Sequence, residues 1–215
     1  INWMVEYYLM IYNLFPTGLG QYNINRNLSK DELEAIHNLK RTNNTGNTIS
    51  LDKTILNKKT LKNLHQFFQE SLDDYSLNVK KPIPSAKYYI TSCWANWTSK
   101  NQYHHAHTHG NSIFSGVFYV DVEENRDYIQ FLKERKEIID VDMTEDTPWN
   151  SNICDMPAHK GDLYIFPSNL EHQVRPIEKE GKERISISFN TFVTGKVIAG
   201  DNGTGALNFP QILCN

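Results

Sequence analysis

The residues best suited to chemistry lie between Tyr103 and Tyr119, a segment that reads YHHAHTHGNSIFSGVFY. His105, His107 and His109 share one parity, and alternate side chains of an extended strand point to the same face. Neutral imidazoles are the commonest protein ligands for transition metals, so histidines at this spacing predict a metal site. The alternative is a solvated, histidine-rich surface loop.

Two features further along the chain favour the metal site. His172 follows the apolar run 162–167, and Arg184 opens the run RISISFN. A guanidinium can bind a carboxylate through two parallel N–H···O bonds, and Ser186 would share a strand face with Arg184. The alternative for Arg184 is a surface salt bridge with a neighbouring carboxylate, either Glu183 or Glu178.

Three segments together, HTHGNSIFSGVFYV, GDLYIFPSNLEHQV and ERISISFN, resemble the Fe(II)/2-oxoglutarate-dependent oxygenase superfamily. The branch they resemble most comprises small oxygenases of phages and marine bacteria. In this superfamily a His-x-Asp/Glu pair and a distant His bind iron. An Arg or Lys roughly ten residues past that distant His, often followed by x-Ser, binds 2-oxoglutarate. The resemblance covers residues 86–195 in detail, with a weaker match at residues 14–17.

The resemblance implies a set of site residues for Fe(II) and for the cosubstrate 2-oxoglutarate. The implied metal ligands are His107, His109 and His172, and the implied 2-oxoglutarate contacts are Arg184, Ser186, Tyr119 and Asn96. Tyr119 corresponds to a tyrosine of some prolyl hydroxylases, and Asn96 to an asparagine of some nucleic-acid demethylases. For both, core packing or turn capping is the competing interpretation.

His109 departs from the superfamily pattern, which has Asp or Glu at this position. Three neutral ligands would leave the full +2 charge on Fe(II), and this charge favours a dianionic cosubstrate. The alternative ligand register uses His105 with His107 and leaves His109 in solvent. Glu171 adjoins His172 but should point to the opposite face of an extended backbone. Three further histidines are expected on the surface: His65, His104 and His159.

The implied activity is that of a dioxygenase, which hydroxylates a substrate with release of succinate and CO₂. One alternative is a cupin-type three-histidine metalloprotein that does not use 2-oxoglutarate, and another is a non-catalytic jelly-roll binding module. Arg184-x-Ser186 favours the oxygenase over the cupin, which needs no cation at that distance from its metal. The substrate stays open between small molecules, nucleotides and protein side chains. Three tryptophans line its cleft or only pack: Trp94, Trp97 and Trp149.

Most of the secondary structure predicted around these residues is strand. They are predicted at 86–97, 105–109, 113–122, 128–131, 162–166, 173–175 and 184–193, with 149–156 undecided. Helices are predicted at about 30–41, which begins with the capping box Ser29 to Glu32, and at about 58–75. Residues 1–28 should be extended with a turn at 16–20, and 42–47 should form a polar loop.

Short strands separated by turn residues favour an antiparallel sandwich or barrel. Together with the resemblance, they predict a mainly β fold with N-terminal helices and a double-stranded β-helix core, the cupin-like jelly roll. The chain is interpreted as one oxygenase domain over residues 1–215. Residues 1–85 would support the core, 86–195 would form it, and 196–215 would be a tail.

Composition limits the partners. The chain has 215 residues and a net charge of −3, and it lacks a basic stripe, so no bulk nucleic-acid binding is expected. The apolar N-terminal segment is interrupted by Glu6 and is too short for a membrane span. Three widely spaced cysteines, Cys93, Cys154 and Cys214, favour reduced thiols and a cytoplasmic location. A homodimer is left open.

Overall fold

The fold is built on two antiparallel β-sheets. The computed structural model describes residues 10–133, 141–177, 180–197 and 208–209. The strands, in chain order, are β1 (Gly20–Asn23), β2 (Arg41–Asn43), β3 (Thr48–Ser50), β4 (Lys87–Thr98), β5 (His104–His107), β6 (Phe114–Asp121), β7 (Tyr128–Leu132), β8 (Ile153–Pro157), β9 (Asp162–Pro167), β10 (His172–Val174), β11 (Arg184–Lys196) and β12 (Asn208–Phe209).

The larger sheet has the order β1-β9-β6-β11-β4-β3-β2, with β12 paired to β11 outside this path, and the smaller sheet has the order β5-β10-β7-β8. Neighbouring strands of both sheets are often far apart in the chain, as expected for a jelly roll. The predicted fold class, a mainly β jelly-roll core preceded by helices, is confirmed.

Two helices precede β4, with the short strands β1, β2 and β3 before or between them. Helix α1 (Lys30–His37) begins with the predicted capping box, in which the Ser29 hydroxyl accepts from Glu32 N–H and the Glu32 carboxylate accepts from Ser29 N–H. Helix α2 (Lys62–Val79) follows two short 3₁₀ turns at Ile55–Asn57 and Lys59–Leu61. Both predicted helices exist, although α1 ends earlier and α2 begins and ends later than expected.

Helix α2 covers the outer face of the larger sheet. Its stripe of buried side chains comprises Leu64, Phe68, Leu72 and Tyr75. The ring centroid of Phe68 lies 5.3 Å from that of Phe118 in β6 and 5.4 Å from that of Phe189 in β11. Because strand side chains alternate, this core takes one face of β4, β6 and β11 and leaves the other face to the space between the sheets.

Several predicted boundaries were wrong. Residues 42–47 are not simply a loop, because β2 and β3 form a hairpin that extends the larger sheet beyond β4. Its polar sequence shows no apolar alternation, so the pattern did not predict strands. His109 lies past the end of β5, and the undecided 149–156 segment supplies β8. In the predicted tail 196–215, residues 208–209 pair with β11; residues 198–207 and 210–215 lie outside the described residues.

No helix of the described residues is long and apolar enough to cross a membrane. Cys93 is a buried and Cys154 an exposed free thiol, while Cys214 lies outside the described residues. The division of the chain into 1–85, 86–195 and 196–215 stays a prediction.

Gly116 provides a test of the packing between α2 and the larger sheet. A Cβ at this position would overlap the buried ring of Phe189 and approach the Tyr164 carbonyl oxygen to 3.0 Å, whereas a Cβ at Gly110 would meet no atom within 4 Å. Overpacking of this kind costs about 1–3 kcal/mol. We expect Gly116→Ala to lower the free energy of unfolding in urea by this amount and Gly110→Ala to leave it nearly unchanged. Equal stability of the two variants would contradict this packing.

Candidate metal centre and carboxylate pocket

Strand pairing in the smaller sheet brings together three of the predicted histidines. His107 and His172 lie directly opposite each other in the β5–β10 pair, and so share a face. His109 follows β5, and its backbone N–H donates to the Ser168 carbonyl at 2.9 Å. One nitrogen from each of the three rings lies within 4.8 Å of the other two, and Nε2 of His109 is 3.3 Å from Nε2 of His172.

Backbone carbonyls fix the tautomer of two of these rings. Nδ1 of His107 lies 2.8 Å from the His105 carbonyl oxygen, and Nδ1 of His172 lies 2.9 Å from the Leu170 carbonyl oxygen. Since a carbonyl only accepts, both Nδ1 atoms must carry the proton, and each Nε2 keeps its lone pair free. Such an outer contact is typical of metal-binding histidines.

The surroundings keep the cluster uncharged. Burial lowers the pKa of His172 to about 3 and that of His109 to about 4, and it also lowers the pKa of His107. At neutral pH all three rings are therefore neutral, the form in which an imidazole binds a metal. The ring of Phe166 lies 4.7 Å from that of His172, between centroids, and forms an apolar wall.

The structure favours the ligand register with His109 over the alternative with His105. His105 is exposed and does not belong to the cluster. The expectation that His104 lies on the surface was wrong: it is half-buried, its ring stacks on His107 at 4.4 Å between centroids, and it lines the pocket. The pairing of β5 with β10 contains a register shift: His107 lies opposite His172, but His104 lies opposite Val174. This shift brings the side chains of His104 and His107 to the same side of β5.

The remaining predicted residues lie in rows across the larger sheet. In the central strand β11, Ser186 pairs with Asn96 of β4 on one side and with Tyr119 of β6 on the other. All three are buried and line the same pocket as the histidines. The pocket contains about 520 Å³ of empty space, its open mouth included.

Two of these three side chains have further features. The Asn96 amide donates to Ser188 at 3.0 Å and accepts from the Trp94 indole at 3.2 Å, so both its ends are engaged. Burial raises the pKa of the Tyr119 phenol, which therefore stays protonated at neutral pH. The prolyl-hydroxylase-like role of Tyr119 and the demethylase-like role of Asn96 stay predictions.

Arg184 is buried, lines the same pocket as the histidines and has no carboxylate partner among the described residues. It is 4% exposed, and its Nη1 and Nη2 make only long bonds of 3.4 Å, to the Tyr128 carbonyl and the Thr98 hydroxyl. Its Nε has no hydrogen-bond partner among the described residues. Burial lowers the pKa of the guanidinium, although the nearby Tyr119 and Asp127 oppose this shift.

The acidic groups around Arg184 are engaged elsewhere. Glu183, a predicted salt-bridge partner, binds Arg41 at 3.0 Å. Asp127 accepts from Arg126 at 2.9 Å and from the Glu123 N–H at 2.8 Å. Glu178 lies outside the described residues.

Other predicted positions have more ordinary surroundings. Trp94 lines the pocket, Trp97 is fully buried in the α2-side core, and Trp149 is exposed with its indole N–H donating to Asn13. His159 is half-exposed and contacts Asp162, and His65 is a half-buried residue of α2. Glu171 is exposed, as its parity predicted.

Several residues that line the pocket were missed by sequence reasoning, among them His104 and Asn47. In a regular strand His104 would point away from the face that carries His107, and only the register shift between β5 and β10 aligns the two side chains. Asn47 precedes β3 in a stretch without apolar periodicity, yet it is 4% exposed and lines the pocket. No local sequence signal marks either position.

Solved structures of known proteins share this fold at low sequence identity. The epimerase SnoN, in complex with Fe3+, alpha ketoglutarate and nogalamycin RO, is similar with a TM-score of 0.59 and 13% identity over 91% of each chain. HygX from Streptomyces hygroscopicus, with nickel, 2-oxoglutarate and hygromycin B bound, has a TM-score of 0.54 and 13% identity over 81% of this chain and 82% of its own.

A prolyl hydroxylase from Trichoplax adhaerens, in complex with a peptide fragment of the hypoxia inducible factor oxygen degradation domain, has a TM-score of 0.55. It is 13% identical over 82% of this chain and 84% of its own. At these identities the similarity concerns the fold alone. None of the curated proteins matches this chain in sequence.

A family model provides a sequence-level link. Residues 92–190, slightly less than half of the chain, match the family described as "Putative 2OG-Fe(II) oxygenase". The matched segment contains every residue predicted for the metal and cosubstrate sites. For this segment the match supports the resemblance to the 2OG-Fe(II) oxygenases, which are oxidoreductases.

Proposed function

We propose that this protein is a non-haem Fe(II)- and 2-oxoglutarate-dependent dioxygenase that hydroxylates its substrate. In this proposal His107, His109 and His172 bind Fe(II), and Arg184 binds the far carboxylate of 2-oxoglutarate. The observation that carries the proposal is one pocket lined by three neutral imidazoles and by a buried guanidinium without a carboxylate partner among the described residues.

The donor set suits a divalent transition metal. Adjacent ligand atoms about 2.1 Å from an octahedral ion are about 3 Å apart, close to the 3.3 Å between Nε2 of His109 and Nε2 of His172. Three ligands on one face leave positions for a 2-oxo acid and O₂. No carboxylate joins the cluster among the described residues, so the metal would keep its full +2 charge.

The surroundings of Arg184 suit a carboxylate. Among the described residues, Nε of Arg184 has no partner and the guanidinium makes two long hydrogen bonds, so most of its donor capacity is unused. A bidentate carboxylate would satisfy these donors and offset the cost of burying the charge. The Ser186 hydroxyl, two residues along the same strand face, is a further donor.

When bound, Fe(II) and 2-oxoglutarate supply the oxidising chemistry, in which the 2-oxo acid yields succinate and CO₂ while oxygen is inserted into a C–H bond. The protein's own residues bind and orient these groups. The imidazoles hold the metal, and the rings of Phe131 and Phe166 beside His172 exclude water from it. Arg184 holds the cosubstrate in one orientation.

The finer predictions are also part of this proposal. The substrate is a small molecule or a protein side chain. The neighbours bind both kinds, as hygromycin B in HygX and a peptide in the prolyl hydroxylase illustrate. Kinship with the oxygenases of phages and marine bacteria, a cytoplasmic location and a homodimer stay predictions.

The first test concerns the metal. His172→Ala should abolish stoichiometric Mn(II) binding in anaerobic calorimetry, because the most buried ligand is lost. His105→Ala, a matched change at an exposed histidine of β5, should bind Mn(II) as the wild type does. Circular dichroism should report an unchanged fold in both. Stoichiometric Mn(II) in the His172 variant would refute the ligand assignment.

The second test concerns the cosubstrate. Truncating one partner of a buried charge pair costs about 2–5 kcal/mol, which corresponds to roughly 30- to 4,000-fold in affinity. Arg184→Ala should therefore weaken 2-oxoglutarate binding to the Mn(II)-loaded protein by at least about 30-fold. Arg184→Lys should recover only part of the loss, because an ammonium keeps the positive charge but cannot donate two parallel hydrogen bonds to a carboxylate.

The control for this test is Arg175→Ala, which removes one positive charge from an exposed position outside the histidine pocket. It should leave 2-oxoglutarate affinity nearly unchanged. Wild-type protein that binds Mn(II) but no 2-oxoglutarate would favour the cupin alternative.

A further inference from the structure

Asn47 is a second pocket side chain with a buried hydrogen-bond donor that is unused among the described residues. It is 4% exposed, it lines the pocket with the histidines and Arg184, and its Nδ2 has no hydrogen-bond partner among the described residues. A buried donor without an acceptor is unfavourable and uncommon in folded proteins. A bound molecule that supplies an acceptor would remove this cost.

The loop that carries Asn47 is firmly held. The Oδ1 of Asn47 accepts from Nδ2 of Asn44 at 3.0 Å, so the NH₂ group is the free end of the amide. The Tyr103 N–H donates to the Gly46 carbonyl at 2.9 Å. Gly46 has a φ of 89°, and a Cβ there would lie 2.6 Å from the Tyr103 carbonyl oxygen, so glycine is required. The amide is therefore preorganised.

Strand register relates Asn47 to Arg184. Thr48 pairs with Trp97, so Asn47 comes opposite Thr98, which itself pairs with Arg184. These three residues thus form one row on the pocket face, spanning two strand spacings, or about 10 Å. Nη2 of Arg184 lies 3.4 Å from the Thr98 hydroxyl, on the side of Arg184 where Asn47 is also found.

Three buried side-chain nitrogens of the described residues lack a partner: Asn47 Nδ2, Trp97 Nε1 and Arg184 Nε. Trp97 belongs to the core beneath α2, where the Arg41 guanidinium lies 4.2 Å from its ring centre. The two that line the pocket are both donors in one row. The complementary ligand group has several acceptor atoms and a negative charge, which describes a carboxylate.

We propose that Asn47 is a cosubstrate-binding residue, whose Nδ2–H donates to the same carboxylate that Arg184 binds. This inference rests on the proposed function and adds to it a residue from outside the matched segment 92–190. The carboxylate would then be bound by two residues that lie on either side of Thr98: the guanidinium of Arg184 in β11 and the amide of Asn47 in the loop before β3.

The experiment compares Asn47→Ala and Asn47→Asp with Asn43→Ala and Asn43→Asp, matched changes at an exposed asparagine of the same hairpin. 2-Oxoglutarate is titrated calorimetrically into each Mn(II)-loaded protein without O₂. Loss of the donor should weaken binding about 10-fold in Asn47→Ala, and the added like charge should weaken it about 100-fold in Asn47→Asp. Both Asn43 variants and all Mn(II) affinities should match the wild type.

Which of the two Asn47 variants binds 2-oxoglutarate more weakly distinguishes a binding role of Asn47 from a structural role. An aspartate has nearly the shape of asparagine, so a purely structural role would make Asn47→Asp the milder change and would overturn the inference. Asn47 variants that bind 2-oxoglutarate as tightly as the Asn43 variants would also overturn it and leave the proposed function standing. Wild-type protein that binds no 2-oxoglutarate would overturn both.

Discussion

The pocket between the two sheets contains a buried guanidinium that has no carboxylate partner among the described residues. Arg184 makes only two long hydrogen bonds, and its Nε makes none within the described residues. A buried charge of this kind destabilises a fold unless a partner compensates it. The structure tolerates the cost because its stability comes from elsewhere.

That stability lies on the opposite face of the same strands. In β11, Ile185, Ile187 and Phe189 pack beneath α2, while Arg184 and Ser186 face the space between the sheets. Because successive side chains of a strand point to opposite faces, neighbouring residues of β11 belong alternately to the apolar core and to the polar pocket. The histidines complete the pocket from the smaller sheet, so both sheets are needed to assemble one site.

Sequence patterns predicted those features that depend on local periodicity. The capping box of α1, the buried stripe of α2 and the two faces of β11 follow from spacing alone. Features that depend on pairing between distant segments were not predictable. A register shift aligns His104 with His107, and the β2–β3 hairpin brings Asn47 into the pocket although nothing in its own sequence indicates burial.

In the proposed site, one pocket holds a metal on three neutral imidazoles and a carboxylate on Arg184. The most direct measurement is a crystal structure grown without O₂ in the presence of Mn(II) and 2-oxoglutarate. We expect the metal to be bound by Nε2 of His107, His109 and His172, with the far carboxylate against Arg184. A metal bound through His104 or His105, or a 2-oxoglutarate molecule that leaves Arg184 unpaired, would contradict it.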